Sequence, residues 1–221
     1  MNSEYLKETA AIAALKFIEP QLESTTIIGV GTGSTASFFI AALSEIKQKF
    51  NAAVSSSEAS TEQLKKLDIN VVDLSVGRKV QFYIDGADEV APDNSLIKGG
   101  GAALTREKIV ATSAEQFICI VEESKLVNKL GKFPLPVEVI PMARGLVAEH
   151  LVKLGGLPEF REGTLTDNGN AILDVYDLDL SSPDRMEEEI NNIVGVVCNG
   201  LFAATRPDKV IIGGKSGLTI R

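Results

Sequence analysis

Short β-branched runs that alternate with amphipathic stretches fill the first 130 residues, and this alternation restricts the possible fold more than any other feature. Residues 25–31, TTIIGVG, are apolar on both faces and end in glycine, the pattern of a strand buried in a parallel sheet. Upstream, residues 4–19 place Leu6, Ala10, Ala13, Ala14 and Phe17 on one helical face. A second helix is predicted over 34–50. Residues 52–55, 70–74, 80–84 and 116–121 read as further strands. Between them, Ser60 and Gln63 form a capping box for a helix running to Leu67. Another helix follows a glycine-rich segment and runs to about Ala114. Strands alternating with helices imply a parallel sheet covered on both faces.

The rhythm changes after Gly131, Lys132, Phe133 and Pro134. The predicted order becomes strand (135–140), helix (142–154, closed by Gly155 and Gly156), strand (157–161) and strand (171–177). A second helix opens at Ser182 with Pro183 in its first position and ends at Gly195, and residues 195–202 form a last strand. This is the split βαβ pattern, β-α-β-β-α-β, of ferredoxin-like domains. Residues 209–212 add a strand that returns to the first sheet. The expected architecture is therefore α/β: a Rossmann-like parallel sheet with helices on both faces, formed by 1–130 and 207–221. An inserted ferredoxin-like α+β domain occupies 131–206.

Composition narrows the function classes. No stretch approaches the roughly 20 apolar residues needed to span a bilayer. The first residues carry acids rather than the basic start of a secretory leader. The expectation is a cytoplasmic protein with no membrane partner. A net charge of −8 argues against nucleic acid, whose binding needs a clustered excess of Lys and Arg. Cys119 and Cys198 both lie in apolar, strand-like runs, so a disulfide framework is not expected. The single histidine, His150, leaves no imidazole cluster for a metal.

Three segments carry chemistry. Residues 98–109, KGGGAALTREKI, set Lys98 before Gly99, Gly100 and Gly101, and Glu107 follows about two helical turns later. Glycine amides have no side chain to keep a ligand away. A cation, a strip of bare amides and a base suit a reaction that makes an anion by removing a proton from carbon. The plain alternative is a glycine turn ahead of a solvated helix. Residues 29–35, GVGTGST, join a strand to a helix. Thr32, Gly33, Ser34 and Thr35 would offer hydroxyls and helix N-terminal amides to a phosphate. The loop is neither a dinucleotide fingerprint nor a Walker A motif, because Ser34 stands where the third glycine belongs and no Gly-Lys-Ser/Thr closes it. Residues 83–89, YIDGADE, follow a strand, so Asp85 and Asp88 can flank one small ligand across Gly86 and Ala87. An Asx turn or a carboxylate-held Mg²⁺ remains open there. Lys125, in ESK after a strand, is a weaker candidate cation, and Lys7 reads as a surface residue.

These segments, with VSSSEASTEQL, LGKFPLPVEVIPMA, LVKLGG and TDNGN beyond them, resemble the ribose-5-phosphate isomerase A family over nearly the whole chain. The resemblance implies a metal-free, cofactor-free enzyme interconverting D-ribose 5-phosphate and D-ribulose 5-phosphate in the non-oxidative pentose phosphate pathway. It also implies a homodimer or a dimer of dimers. Glu107 would be the base, Asp85 would assist ring opening and proton handling, and Lys98 would steady developing negative charge. Thr32 to Thr35, Asp85 to Asp88, Lys98 to Gly101 and Lys125 would line the substrate site. A non-catalytic sugar-phosphate sensor of the same fold is the alternative. Acyl-CoA transfer and amino-sugar deamination are further activities of related sheets.

Overall fold

The computed structural model describes residues 2–74 and 79–221. Tertiary contacts divide the chain into two units. The first comprises Met1–Gly86, Arg106–Ser124 and Pro207–Arg221, and the second Ala87–Thr105 and Lys125–Arg206.

Helix α1 (Ser3–Ile18) opens the first unit, with Asn2 accepting a hydrogen bond from the Tyr5 amide as its cap. Strand β1 (Ile27–Val30), helix α2 (Ser34–Leu43), strand β2 (Ala52–Ser55) and helix α3 (Glu58–Lys66) follow. Strand β3 (Val80–Asp85) leaves this unit, strands β4 (Glu89–Val90) and β5 (Leu96–Ile97) lie in the other, and helix α4 (Leu104–Ser113) leads back into strand β6 (Ala114–Glu122).

The main sheet runs in the order β13-β12-β6-β3-β1-β2, with every pair parallel except its last hairpin. That hairpin joins β12 (Lys209–Gly214) and β13 (Gly217–Ile220). Alternate strand residues explain the two covered faces. Ile28, Val30, Phe82, Ile84, Ile118, Ile120 and Ile211 pack with α1 and α2 residues such as Ala14, Phe39 and Leu43. Tyr83 and Gly29 point the other way, against Val110 of α4. Each fully buried large apolar side chain contributes about 1.5–3 kcal/mol, so this two-sided core is what holds the strand ends in place.

The second unit holds a four-stranded antiparallel sheet in the order β10-β7-β9-β8. Its elements are β7 (Leu135–Val139), helix α5 (Arg144–Lys153), β8 (Leu157–Phe160), β9 (Ala171–Tyr176), helix α6 (Pro183–Asn191) and β10 (Val196–Asn199). Val137, Val139, Val147, Leu151, Leu173 and Ile190 form its core. The strand order is the one a split βαβ unit requires.

Several local expectations are corrected. The cap of α3 is Ser57, whose hydroxyl accepts from the Ser60 amide, while Ser60 lies inside the helix and donates to the Gly31 carbonyl. Residues 70–74 form no full strand. The Ala53–Val71 bridge, with the Ala53 amide on the Asn70 carbonyl and the Val72 amide on the Ala53 carbonyl, ties them to β2. The helix predicted over 34–50 is α-helical to Leu43 and then tightens into a 3₁₀ turn, Ser44–Lys49. Ser182 makes no side-chain cap. The strand predicted over 195–202 is split, because Gly200 turns its amide to the Pro136 carbonyl and accepts from the Lys98 amide. Its second piece, β11 (Leu201–Phe202), joins a small sheet in the order β11-β5-β4. Cys119 and Cys198 are both buried, and neither forms a disulfide.

Candidate active site

The phosphate-type loop is built by the carboxyl ends of β1 and β3. The Gly31 amide donates to the Ile84 carbonyl, and a Cβ on Gly31 would lie 1.9 Å from Asp85 Oδ1, so only glycine lets that carboxylate lie against the loop. Gly33, with φ at 95°, precedes α2 without a side-chain cap, leaving the first amides of the helix directed at the loop. Thr32 Oγ1 is 2.8 Å from Ser56 Oγ. Thr35 packs beside Gly86. The Lys7 ammonium donates to Ser34 Oγ at 3.0 Å. Lys7, read from sequence as a surface residue, is thus a cation placed on the helix α2 N-terminus. The signal was its position three and four residues before Ala10 and Ala11, on the border of the buried stripe of α1.

Asp85 is fully buried and held from three sides. Its Oδ1 accepts from the Thr32 amide at 3.1 Å and the Gly86 amide at 2.7 Å, and its Oδ2 accepts from the Tyr83 hydroxyl at 2.5 Å. Burial, and then the negative charges of Asp85 and Glu107, pushes the Tyr83 phenol well above its ordinary value. The phenol therefore stays protonated at neutral pH and acts as a donor. Glu107, in the first turn of α4, is 4% exposed. Its charge acts on the same phenol that bonds Asp85, so the two carboxylates share one buried neighbourhood at the end of β3. Tyr83 was not singled out in the sequence. The readable signal is its place two residues before Asp85 on one strand, which puts both side chains on one face.

In the other unit, Lys98 is 2% exposed, and its ammonium lies 5.6 Å from the centre of the Phe202 ring. Gly99 has φ at 106°, and the Ala102 amide closes a turn onto its carbonyl. The strip is not uniformly bare. The Gly100 amide donates to Asp88 Oδ2 at 2.8 Å, so Asp88 grips the glycine turn. Gly101 is exposed, Ala87 and Lys125 are half-buried, and Lys125 closes the 3₁₀ turn Glu123–Lys125. Among the described residues, no group of three or more His, Cys, Asp or Glu side chains could hold a metal ion. Nor does any helix there have the length and apolarity to cross a membrane.

The model of the family described as ribose 5-phosphate isomerase A (phosphoriboisomerase A) matches residues 52–217. Solved structures agree over the full length. The chain is similar to ribose 5 phosphate isomerase A from Neisseria gonorrhoeae, with 46% identity, TM-score 0.94, and coverage of 99% of this chain and 96% of that one. It is similar to a D-ribose-5-phosphate isomerase solved in complex with phospho-erythronic acid, with 40% identity, TM-score 0.94, and coverage of 100% and 99%. It is also similar to ribose 5-phosphate isomerase A from Methanocaldococcus jannaschii, with 41% identity, TM-score 0.91, and coverage of 99% and 98%. The motifs, the sheet order and these full-length likenesses lead to one conclusion: the chain belongs to the ribose 5-phosphate isomerase A family.

Proposed function

We propose that Glu107 is the base with which this chain, an aldose–ketose isomerase, interconverts D-ribose 5-phosphate and D-ribulose 5-phosphate. The observation that carries the assignment is the burial of two carboxylates, Asp85 bonded by the Tyr83 hydroxyl and Glu107 in the first turn of α4. Two carboxylates near one another divide the labour: one takes a proton from carbon while the other serves the sugar oxygens.

In this reading the substrate phosphate lies on the α2 N-terminus among Thr32, Gly33, Ser34 and Thr35, with Lys7 adding positive charge. Asp85 takes the O1 hydroxyl proton as the C1–O4 bond breaks and passes it to the ring oxygen, so the sugar opens to the aldehyde. Glu107 then removes the C2 proton. The C–H electron pair forms the C1–C2 double bond of a cis-enediolate, and the carbonyl π pair moves to O1. Lys98 and the glycine amides that Asp88 does not hold, which the chain supplies just ahead of α4, stabilise that oxygen. The O2 hydroxyl proton passes to O1, the C2=O2 bond forms, and the double-bond electron pair takes the proton back from Glu107 at C1, which leaves the ketose. A positioned base of this kind contributes about 10²–10⁴-fold, or roughly 3–5 kcal/mol of barrier. Residues 86–88 shape the turn between the two acids, and Lys125 is assigned to the substrate on resemblance alone.

The active form in this reading is a metal-independent, cytoplasmic homodimer or dimer of dimers, so its mass in solution is expected at twice or four times the 23.6 kDa chain. The deciding assay follows ribulose 5-phosphate formation from ribose 5-phosphate with and without EDTA. Undiminished turnover in the chelator is expected. Loss of turnover that added Mg²⁺ restores would replace the proton route with a metal-assisted one.

A further inference from the structure

A half-buried guanidinium and a buried carboxylate in the four-stranded module converge on the short segment 99–105. Arg161 sits at the end of β8, tied to β9 by its amide on the Ile172 carbonyl. Its Nε and Nη2 donate to the two oxygens of Asp174 at 2.7 and 2.5 Å, an orienting, bidentate pair. Nη1 donates to the Gly99 carbonyl at 3.1 Å and to the Gly100 carbonyl at 3.2 Å. Because the Ala102 amide also donates to Gly99, that carbonyl has both lone pairs used. Ala102 itself sits at φ 58°, a left-handed conformation that is strained for a non-glycine residue and persists only where its surroundings over-determine it.

The other end of the segment is held as firmly. Glu138 of β7 is fully buried. Its Oε2 accepts from the Thr105 hydroxyl, and its Oε1 accepts from Thr166 Oγ1 at 2.8 Å, Asn170 Nδ2 at 2.8 Å and Asn168 Nδ2 at 3.2 Å. Thr105 lies in the first turn of α4, two residues before Glu107.

We propose that Arg161, oriented by Asp174, and Glu138 are positioning residues for the isomerisation, fixing the glycine turn at one end and the first turn of α4 at the other. A trans peptide directs its N–H opposite to its carbonyl. Pinning the Gly99 carbonyl to Arg161 therefore turns the Gly100 amide toward Asp88, and pinning the Gly100 carbonyl turns the Gly101 amide away from the guanidinium. A partly exposed ion pair such as Arg161–Asp174 adds little stability of its own. What this one supplies, and an apolar pair cannot, is the direction of two peptide groups. The inference rests on the roles proposed above for residues 98–101 and Glu107, and it gives the four-stranded module a task in the chemistry.

Arg161→Met and Thr105→Val test it, with Thr105→Ser as the conservative control. A misplacement of about 1 Å costs on the order of 100-fold in rate, so each of the first two variants is expected to lose about 10–100-fold in kcat with KM nearly unchanged. Inhibition by 4-phospho-erythronate, whose carboxylate carries the paired planar oxygens of the enediolate, should weaken in step with kcat/KM. Inhibition by inorganic phosphate should not change. Thr105→Ser should recover most of the rate. The Thr105 pair decides the matter even where Arg161→Met does not fold. An unchanged kcat in Thr105→Val, or a loss that Thr105→Ser and phosphate affinity share, overturns the inference. A wild-type chain without turnover would instead remove the functional reading beneath it.

Discussion

Glu107→Gln is expected to lower kcat at least ~100-fold while leaving KM for ribose 5-phosphate within a few fold. Glutamine keeps the shape of the side chain but cannot take a proton from C2. The site is buried, with Glu107 only 4% exposed, so bulk water is poorly placed to serve as a substitute base. Removing a charge that acts on the Tyr83 phenol should also relax the upward pressure on that group without breaking its bond to Asp85. Steady-state kinetics on folded protein, matched by an unchanged melting temperature, checks this. Near-normal turnover would remove Glu107 from the role of base.

Lys98→Met tests the other half of the chemistry, the stabilisation of the enediolate oxygen. Lys98 is 2% exposed and lies against the Phe202 ring, and its amide is fixed to the Gly200 carbonyl. A desolvated ammonium acts through a low effective dielectric, where a charge counts for far more than it does in water. Methionine preserves the flexible apolar stem and its contact with the aromatic ring but lacks the charge. Loss of one pre-organised donor at a developing oxyanion costs about 10²–10³ in kcat, and that loss is expected here. A rise in KM with kcat unchanged would mean that Lys98 binds ground state and transition state equally, and would end its assignment to the enediolate.

Much of the architecture could be read from residue pattern because burial on both faces leaves a plain mark. Ile27, Ile28 and Val30 in β1 and the long apolar run of β6 lie in a parallel sheet for the reason their composition suggests. The split βαβ order was legible from Pro183 at a helix start and from Gly155 and Gly156 after a helix end. Two-residue strands leave no such mark. β4 and β5 pair with each other across a short turn and β11 joins β5 from far along the chain, and none of the three is long enough to show a periodic pattern. The hairpin strand β13 was also missed, since all its residues are exposed and no buried alternation gives it away.

At the site, residue types were readable and their partners were not. An Asp-Gly pair after a strand suggests a solvated turn as readily as an anchored carboxylate. Only the close approach of Gly31 and the Tyr83 hydroxyl show Asp85 to be a fixed, buried acid. Lys7 meets Ser34 across 27 positions of sequence, and Arg161 meets Gly99 across 62. Tertiary contacts of that span leave no local signal. The amide of Gly100 shows the opposite error: three glycines in a row suggest three open donors, yet Asp88 occupies the middle one.

The central claim is that one carboxyl group ferries a proton between adjacent carbons of the sugar. Running the reaction in D₂O and reading the C1 position of newly formed ribulose 5-phosphate by NMR tests it most directly, because a carboxylic acid formed at Glu107 exchanges with solvent. Deuterium at C1 in the first turnovers, with both the label and the turnover suppressed in Glu107→Gln, is the predicted result. Product that carries only the hydrogen originally at C2, with no solvent label at any time, would contradict the account and point to direct hydride transfer.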